Sequence, residues 1–297
     1  MEVRLLAQAD YEVFDAFLAG HAETSMFLRS NARRAGLDYA GRTYQFRGFG
    51  AFEAGALAGV LGLFYNGNLM SQAPDPPVLE ALFDTAQKTH PDFVVQGVLG
   101  AADQAAWLLD RLGPAPEAIR LSEREPLLRL ELAALRVPEA LAGSGLTWRR
   151  GEARDLQRMV VWRTAYNMEM LGALPPEMAA DAHAAVGRWL DREPPFLLLA
   201  DGAPVAMAAY NAALPDIVQI GGVYTPPEFR RRGYGRSAVA AALIEARDAG
   251  VTSAILFTHS PAAERAYRAL GFERIGDHHI ALLDPGLKLG EAQRVWI

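Results

Sequence analysis

The stretch that most constrains this chain runs from Ile217 to Phe272, and its centre reads Arg230-Arg231-Arg232-Gly233-Tyr234-Gly235-Arg236-Ser237. An apolar run, Ile217 to Tyr224, precedes that centre, and a segment of helical period, Ser237 to Ala249, follows it. A strand, a turn with two glycines and a helix N-terminus together form an anion cradle. The first N–H groups of a helix have no partner within it, and the aligned peptide dipoles leave that end positive. Gly233 and Gly235 allow a sharp turn and a close approach of backbone amides. Arg230, Arg231, Arg232 and Arg236 add charge and forked donors suited to phosphate oxygens. A basic run alone reads as a solvated loop; glycine spacing between a strand and a helix favours a phosphorylated ligand.

Gly233-x-Gly235-x-x-Ala238 also satisfies the dinucleotide fingerprint. That reading needs the glycine turn after a first strand, an acid about 20 residues on and further βαβ units. The next strand-like run, Val251 to His259, carries no acid, and only about 60 residues follow the glycines. The dinucleotide reading fails.

The segment resembles the GNAT family of N-acetyltransferases. That family's acyl-CoA signature is Arg or Gln, two residues, Gly, one residue, then Gly or Ala, between its fourth strand and third helix. Here it reads Arg230-x-x-Gly233-x-Gly235. A second family element follows: a fifth strand, Ala254 to Thr258, then a short helix bearing Tyr267 and ending Ala269-Leu270-Gly271-Phe272. Relatives often carry Asn seven residues before that tyrosine, where this chain has Ser260. Ser260 before Pro261 also reads as a helix N-cap with proline at the first helical position.

The resemblance implies acetyl-CoA as co-substrate, held by Val223, Tyr224, Thr225, Arg230, Arg231, Arg232, Gly233, Tyr234, Gly235, Arg236, Ser237, Ser260 and Tyr267. It implies a fold of the α/β class, an α+β mixed sheet, and Tyr267 as the catalytic acid near the sulfur. It also implies N-acetyl transfer to a primary amine by direct attack. The acceptor is a small-molecule amine or a peptide N-terminus, and the residues do not choose between them. The alkylammonium, of pKa ~10, must first lose a proton. Glu169, Asp216, Glu228 and a water chain are all candidates to take it. The reading from a different class is a non-catalytic acyl-CoA-binding sensor.

Length and composition frame this reading. With 297 residues, about two domains are expected. Residues 2–140 follow the order strand, helix, meander, helix, strand, helix, strand, which is also the acetyltransferase order. The chain therefore reads as two tandem GNAT-like acyl-CoA N-acyltransferase domains, a degenerate one at 1–140 and an acetyl-CoA-binding one at 146–297. Leu135 to Thr147 is the linker, marked by Pro138, Gly143, Ser144 and Gly145. Leu174-Pro175-Pro176 breaks the chain between helices expected at 155–170 and 177–190. Ile275–Leu283 and Ala292–Ile297 read as closing strands.

In the first half the cradle falls at Ser71-Gln72-Ala73-Pro74-Asp75-Pro76-Pro77, where three prolines supply no N–H and Asp75 repels a pyrophosphate. That copy is expected not to hold CoA in the usual way. A formal net charge of −6 argues against a nucleic-acid partner. With no cysteine, disulfides, thiolate zinc sites and cysteine nucleophiles are excluded. His278-His279 lies in a strand-like run without a carboxylate pattern, so no metal is expected. The longest apolar stretch, Phe196 to Tyr210, is interrupted by Asp201, Gly202 and Pro204. No membrane partner and a cytoplasmic location are expected.

Overall fold

The computed structural model describes residues 1–143, 145–171 and 177–292. The expected Leu174-Pro175-Pro176 break, Ser144 of the expected linker and almost all of the 292–297 strand lie outside the described residues. The chain divides into two compact units, Met1–Leu127 with the residues from Gly276 on, and Leu128–Ile275. Each is a mixed α/β assembly built on a sheet.

The first unit starts with β1 (Glu2–Leu5), α1 (Tyr11–Ala19), α2 (Ala22–Ala35), β2 (Phe46–Glu53), β3 (Ala56–Phe64) and β4 (Asn68–Gln72). It continues with α3 (Pro76–Thr89), β5 (Val94–Ala101), α4 (Ala102–Leu112) and the first part of β6 (Ile119–Glu131). β1 to β4 are antiparallel neighbours in order, and β5 pairs parallel with β4. The sequence pattern gave no helix at α2, because polar residues interrupt its apolar stripe. Those polar residues are buried with partners. The Ser25 hydroxyl donates to the Leu18 and His21 carbonyls at 2.8 and 2.7 Å, and Arg29 pairs with Asp15 at 3.0 Å.

The second unit holds a short α5 (Glu139–Ala142), β7 (Leu146–Arg150), α6 (Leu156–Leu171), α7 (Glu177–Arg192), β8 (Phe196–Ala200) and β9 (Ala203–Ala213). β10 (Ile217–Tyr224), α8 (Tyr234–Asp248), β11 (Ser253–Phe257) and α9 (Pro261–Arg268) complete it. Asp201 and Gly202 turn the β8–β9 hairpin with φ of 49° and 77°, the left-handed pair that a two-residue turn requires. Ala238, Ala240, Ala241, Ala242 and Ala246 are buried on α8. Their small side chains seat the helix backbone close to the sheet, where the Tyr210 hydroxyl donates to the Ala242 carbonyl at 2.6 Å.

The last strand, β12 (Glu273–Lys288), departs from expectation. From His278 on it pairs antiparallel with β5, and Leu283, Leu289 and Ala292 enter the core of the first unit. Conversely, Leu128, Leu130 and Leu132 lie in the core of the second unit. The division between the two compact units therefore falls within β6 and β12. Alternation marks a strand but does not say which sheet edge will take it.

A repeated ion pair links each first strand to its first helix. Arg4 donates to both carboxylate oxygens of Asp10, at 2.8 and 2.7 Å, and to the Leu5 carbonyl. Arg149 does the same to Asp155, at 2.5 and 2.9 Å, and to the Arg150 carbonyl. In both copies the acid also accepts an amide, from Ala7 or Glu152, at 2.9 Å. Asp10 thus caps the turn before α1 and not α1 itself. The same construction in both units is what a duplicated fold would leave behind. Among the described residues no helix is long and apolar enough to cross a membrane.

The Arg4 guanidinium and the Ala7 amide hold the Asp10 carboxyl down at about 2. A depressed folded-state value stabilises the fold above the unfolded value, near 3.9, and that contribution is lost as pH falls through about 2. With solvent screening it amounts to about 1 kcal/mol. Asp10→Asn is expected to remove part of the fall in melting temperature between about pH 4 and pH 2. Thermal melts of both proteins across that range check it.

Candidate active site

The site begins with a broken strand. β10 pairs with β11 only at Ile217–Gln219 against Ser253–Ile255, and its register with β9 shifts at Gln219/Ile220 and again between Gly221 and Tyr224. Gly222 has φ of 57°, which side-chain-bearing residues rarely adopt. At Gly221 a Cβ would lie 2.1 Å from the Asn211 side chain, which would have to move aside for any larger residue. Past this double break β10 and β11 part, and a cleft of about 710 Å³ opens between them. Ile220 to Thr225 form one wall; Leu256 to Thr258 and the face of α9 bearing Ala263 and Tyr267 form the other.

The arginine-glycine turn closes one end of the cleft. Gly233 sits at the N-cap of α8 with φ of 78°, and Arg231 also has a left-handed φ, of 63°. A non-glycine residue held there is strained, as is common where a loop is shaped for a ligand. The helix starts at Tyr234, three residues earlier than the pattern suggested, and its first internal bond runs from the Ser237 amide to the Gly233 carbonyl at 3.0 Å. The amides of Tyr234, Gly235 and Arg236 precede that bond and donate to no backbone carbonyl among the described residues. A Cβ on Gly235 would reach 3.1 Å from Thr225 Oγ1, so the bare backbone there lies directly against the end of β10.

Most of the residues expected at the site line this cleft: Val223, Tyr224, Thr225, Arg230, Arg231, Gly233, Tyr234, Gly235, Arg236, Ser260 and Tyr267. Arg232 and Ser237 do not. Arg232 is exposed, and Ser237 is buried with its amide bound inside the helix. Ser260 Oγ accepts the Ala263 amide at 3.3 Å, the N-cap reading of that serine.

Arg230 has partners that its place in the motif did not suggest. Its guanidinium donates to Glu169 at 2.6 Å and to the Thr225 carbonyl at 2.9 Å, so it ties α6 to the chain after β10. The Glu169 hydrogen bond raises its pKa further. The Tyr224 hydroxyl lies 3.5 Å from the same Glu169 oxygen, and burial pushes that phenol up. Glu169 is the one candidate proton acceptor that lines the cleft. Neither Glu228 nor Asp216 does, and the Asp216 carbonyl accepts from Thr252 at the far end of β10.

Tyr267 is 8 % exposed, and its hydroxyl makes no hydrogen bond among the described residues. Burial, with Tyr166 across the cleft, pushes its phenol well above the ordinary value near 10. Tyr166, one turn after Trp162 on α6, packs against the core of that face and also lines the cleft. Gly221 and Gly222 lie inside the apolar run Ile217 to Tyr224, and two glycines inside a strand are a signal for a bulge. No convergence of three His, Asp or Glu side chains that could hold a metal occurs among the described residues.

Comparison with known proteins agrees with this architecture. Residues 160–272 match the model of the acetyltransferase (GNAT) family. That segment of the chain is a GNAT domain. No curated protein sequence matches the chain. Among solved structures, a GCN5-related N-acetyltransferase from Kribbella flavida superposes with a TM-score of 0.55 at 21% identity, over 90% of this chain and 95% of that one. A Drosophila protein gives a TM-score of 0.65 at 14% identity, over 95% and 98%. A tandem GNAT protein from the clavulanic acid biosynthesis pathway gives 0.55 at 13%, over 94% and 97%. At these identities the likeness is one of fold. It covers nearly the whole chain, which has the fold of two tandem GNAT-like domains.

The first unit lacks a comparable cradle. Pro76 and Pro77 open α3, and the next two amides, Val78 and Leu79, donate to the Asp75 carbonyl at 3.0 and 3.2 Å. Gln104 Oε1 accepts the Ala73 amide at 2.8 Å and the Ser71 hydroxyl at 3.0 Å, taking up the polar groups just after β4.

The Arg230–Glu169 pair is 41 % and 47 % exposed, so its own contribution to stability is small, under ~1 kcal/mol. In a double-mutant cycle of Arg230→Met and Glu169→Gln followed by urea unfolding, the coupling energy is expected to stay below that value.

Proposed function

We propose that the second unit transfers an acetyl group from acetyl-CoA to a primary amine by direct attack. The observation that carries this reading is the opening of β10 from β11 onto a helix start with three undonated amides, flanked by Arg231 and Arg236. Free amides, the positive end of the helix dipole and guanidinium forks are what a pyrophosphate requires. The donor set therefore fits coenzyme A, whose pantetheine arm would run along Val223 to Thr225. With the thioester held there, the amine nitrogen attacks the acetyl carbon, the C–S bond breaks, and the nitrogen gives up a proton. Backbone N–H groups near the end of β10 would stabilise the oxyanion, a contribution of ~2.7–4 kcal/mol for a well-placed donor.

Tyr267 is assigned the departing sulfur. Its buried phenol stays protonated and has a hydroxyl with no competing partner among the described residues. Proton transfer from a phenol above pKa ~10 to a thiolate of ~8.5 is uphill by at least ~2 kcal/mol. Its role is therefore to donate a hydrogen bond to the developing thiolate, with the final proton coming from the amine or from water. Glu169, tied to Arg230, positions α6 against the cradle.

Calorimetric titration of acetyl-CoA into wild type and Gly235→Glu tests the cradle. Wild type is expected to bind at micromolar strength, and the variant, with a carboxylate pressed against Thr225, is expected not to bind. Absence of binding to wild type would overturn the reading. Tyr267→Phe is expected to lower kcat roughly 10²-fold while leaving acetyl-CoA affinity unchanged. Thiol release in a screen of amines measures it.

A further inference from the structure

Beside the cleft, one half-buried cation has no counterion among the described residues. Arg163, on α6 one turn before Tyr166, places its guanidinium carbon 5.0 Å from the centre of the Tyr166 ring and 5.2 Å from that of Trp189 on α7. Both rings present their faces to the cation, which attracts it but offers no hydrogen-bond acceptor. Its Nε is buried and without a partner, and no carboxylate pairs with Arg163 among the described residues. Burial also drives its pKa down, the sign of an uncompensated charge. Other arginines of this unit behave differently: Arg149, Arg150 and Arg230 all hold carboxylates at 2.5–2.6 Å. A guanidinium stays protonated at any working pH, so its buried Nε–H is costly until an anion meets it.

The surroundings of Arg163 place it on the acceptor side of the proposed reaction. Tyr166 lines the cleft. The Trp189 ring lies 3.2 Å from the position a Cβ would take on Gly222, the residue at which β10 breaks. The two rings that hold Arg163 thus touch the cleft wall on the α6–α7 side, while the arginine-glycine turn that would take the pyrophosphate lies at the start of α8. Resting on the acetyl-transfer reading, we infer that Arg163 binds a carboxylate on the acceptor, so that the substrate is an amine carrying a carboxylate, of amino-acid type. A carboxylate matches the guanidinium edge with two parallel hydrogen bonds and neutralises the charge, and Trp189 and Tyr166 would cover the pair from water.

The test compares free amino acids with their carboxamides, which differ only in that charge. Equilibrium binding is read from tryptophan fluorescence, since Trp189 lies against Arg163, and turnover from thiol release with acetyl-CoA. Wild type is expected to favour the acid form of at least one side chain by tenfold or more in binding and in KM. Arg163→Met is expected to remove that preference by weakening the acids at least tenfold more than the carboxamides, and Arg163→Lys to retain part of it. Arg163→Met is also expected to melt at a higher temperature, because a buried unpaired cation is lost. Equal signals from acids and carboxamides in wild type, or a preference that survives Arg163→Met, would overturn the inference. So would a lower melting temperature of Arg163→Met, which would mean that the guanidinium has protein partners. Failure of acetyl-CoA to bind would count against acetyl transfer alone, since the fluorescence comparison does not need the co-substrate.

Discussion

A strand that parts from one of its two neighbours halfway along organises the second unit. β10 lies between β9 and β11 at its start, its pairing with β11 ends at Gln219, and its register with β9 slips around Gly221–Gly222. Two local facts force this: the Asn211 side chain fills the space a Cβ on Gly221 would need, and Gly222 takes a left-handed φ. On the β11 side the rest of β10 leaves backbone groups facing a cleft, which a closed sheet would have used for its own hydrogen bonds. The position of α8 follows from the same break, because the chain leaves β10 at Tyr224 and must turn back within a few residues. It does so through a strained Arg231 and a left-handed Gly233, which present the first amides of α8 to the cleft.

Charge in this unit is sorted by partner. Arg149 and Arg150 are spent on Asp155 and Glu245, holding the first strand to the fold, and Arg230 on Glu169, holding α6 to the cradle. Arg231 and Arg236 line the cleft at the helix start, and Arg163 lies between two aromatic rings on the other side. The two units share the Arg–Asp construction between the first strand and first helix but differ where the chemistry would lie. The first unit has prolines where the second has free amides, and a glutamine side chain bonded to the groups just after its fourth strand. A fold can be kept by its core and its first turn while its binding end is lost, because the two depend on different residues.

Much of this was legible without coordinates, for a physical reason that differs from element to element. The turn at Asp201-Gly202, the Ser260-Pro261 helix start and β10 itself are set by neighbouring residues, and each lies where local chemistry placed it. The arginine-glycine turn was legible for the same reason. α2 was not, since its buried Ser25 and Arg29 look like surface residues until Leu18, His21 and Asp15 supply their partners. Nor was the second half of Arg230's role, because Glu169 lies 61 residues away in the chain. Tyr166 and Trp162 share one helical stripe, and only packing separated the cleft residue from the core residue.

Apart from α2, the sequence by itself determined the order of strands and helices, the anion-binding turn and the absence of such a turn in the first half. These are matters of backbone conformation and of which N–H groups exist, and a few consecutive residues decide them. Only the tertiary structure decided which unit the last strand completes, which arginines are already neutralised and which side chains face the cleft. Those outcomes depend on contacts between distant segments, where the competing arrangements differ in burial and in hydrogen-bond partners and not in local pattern.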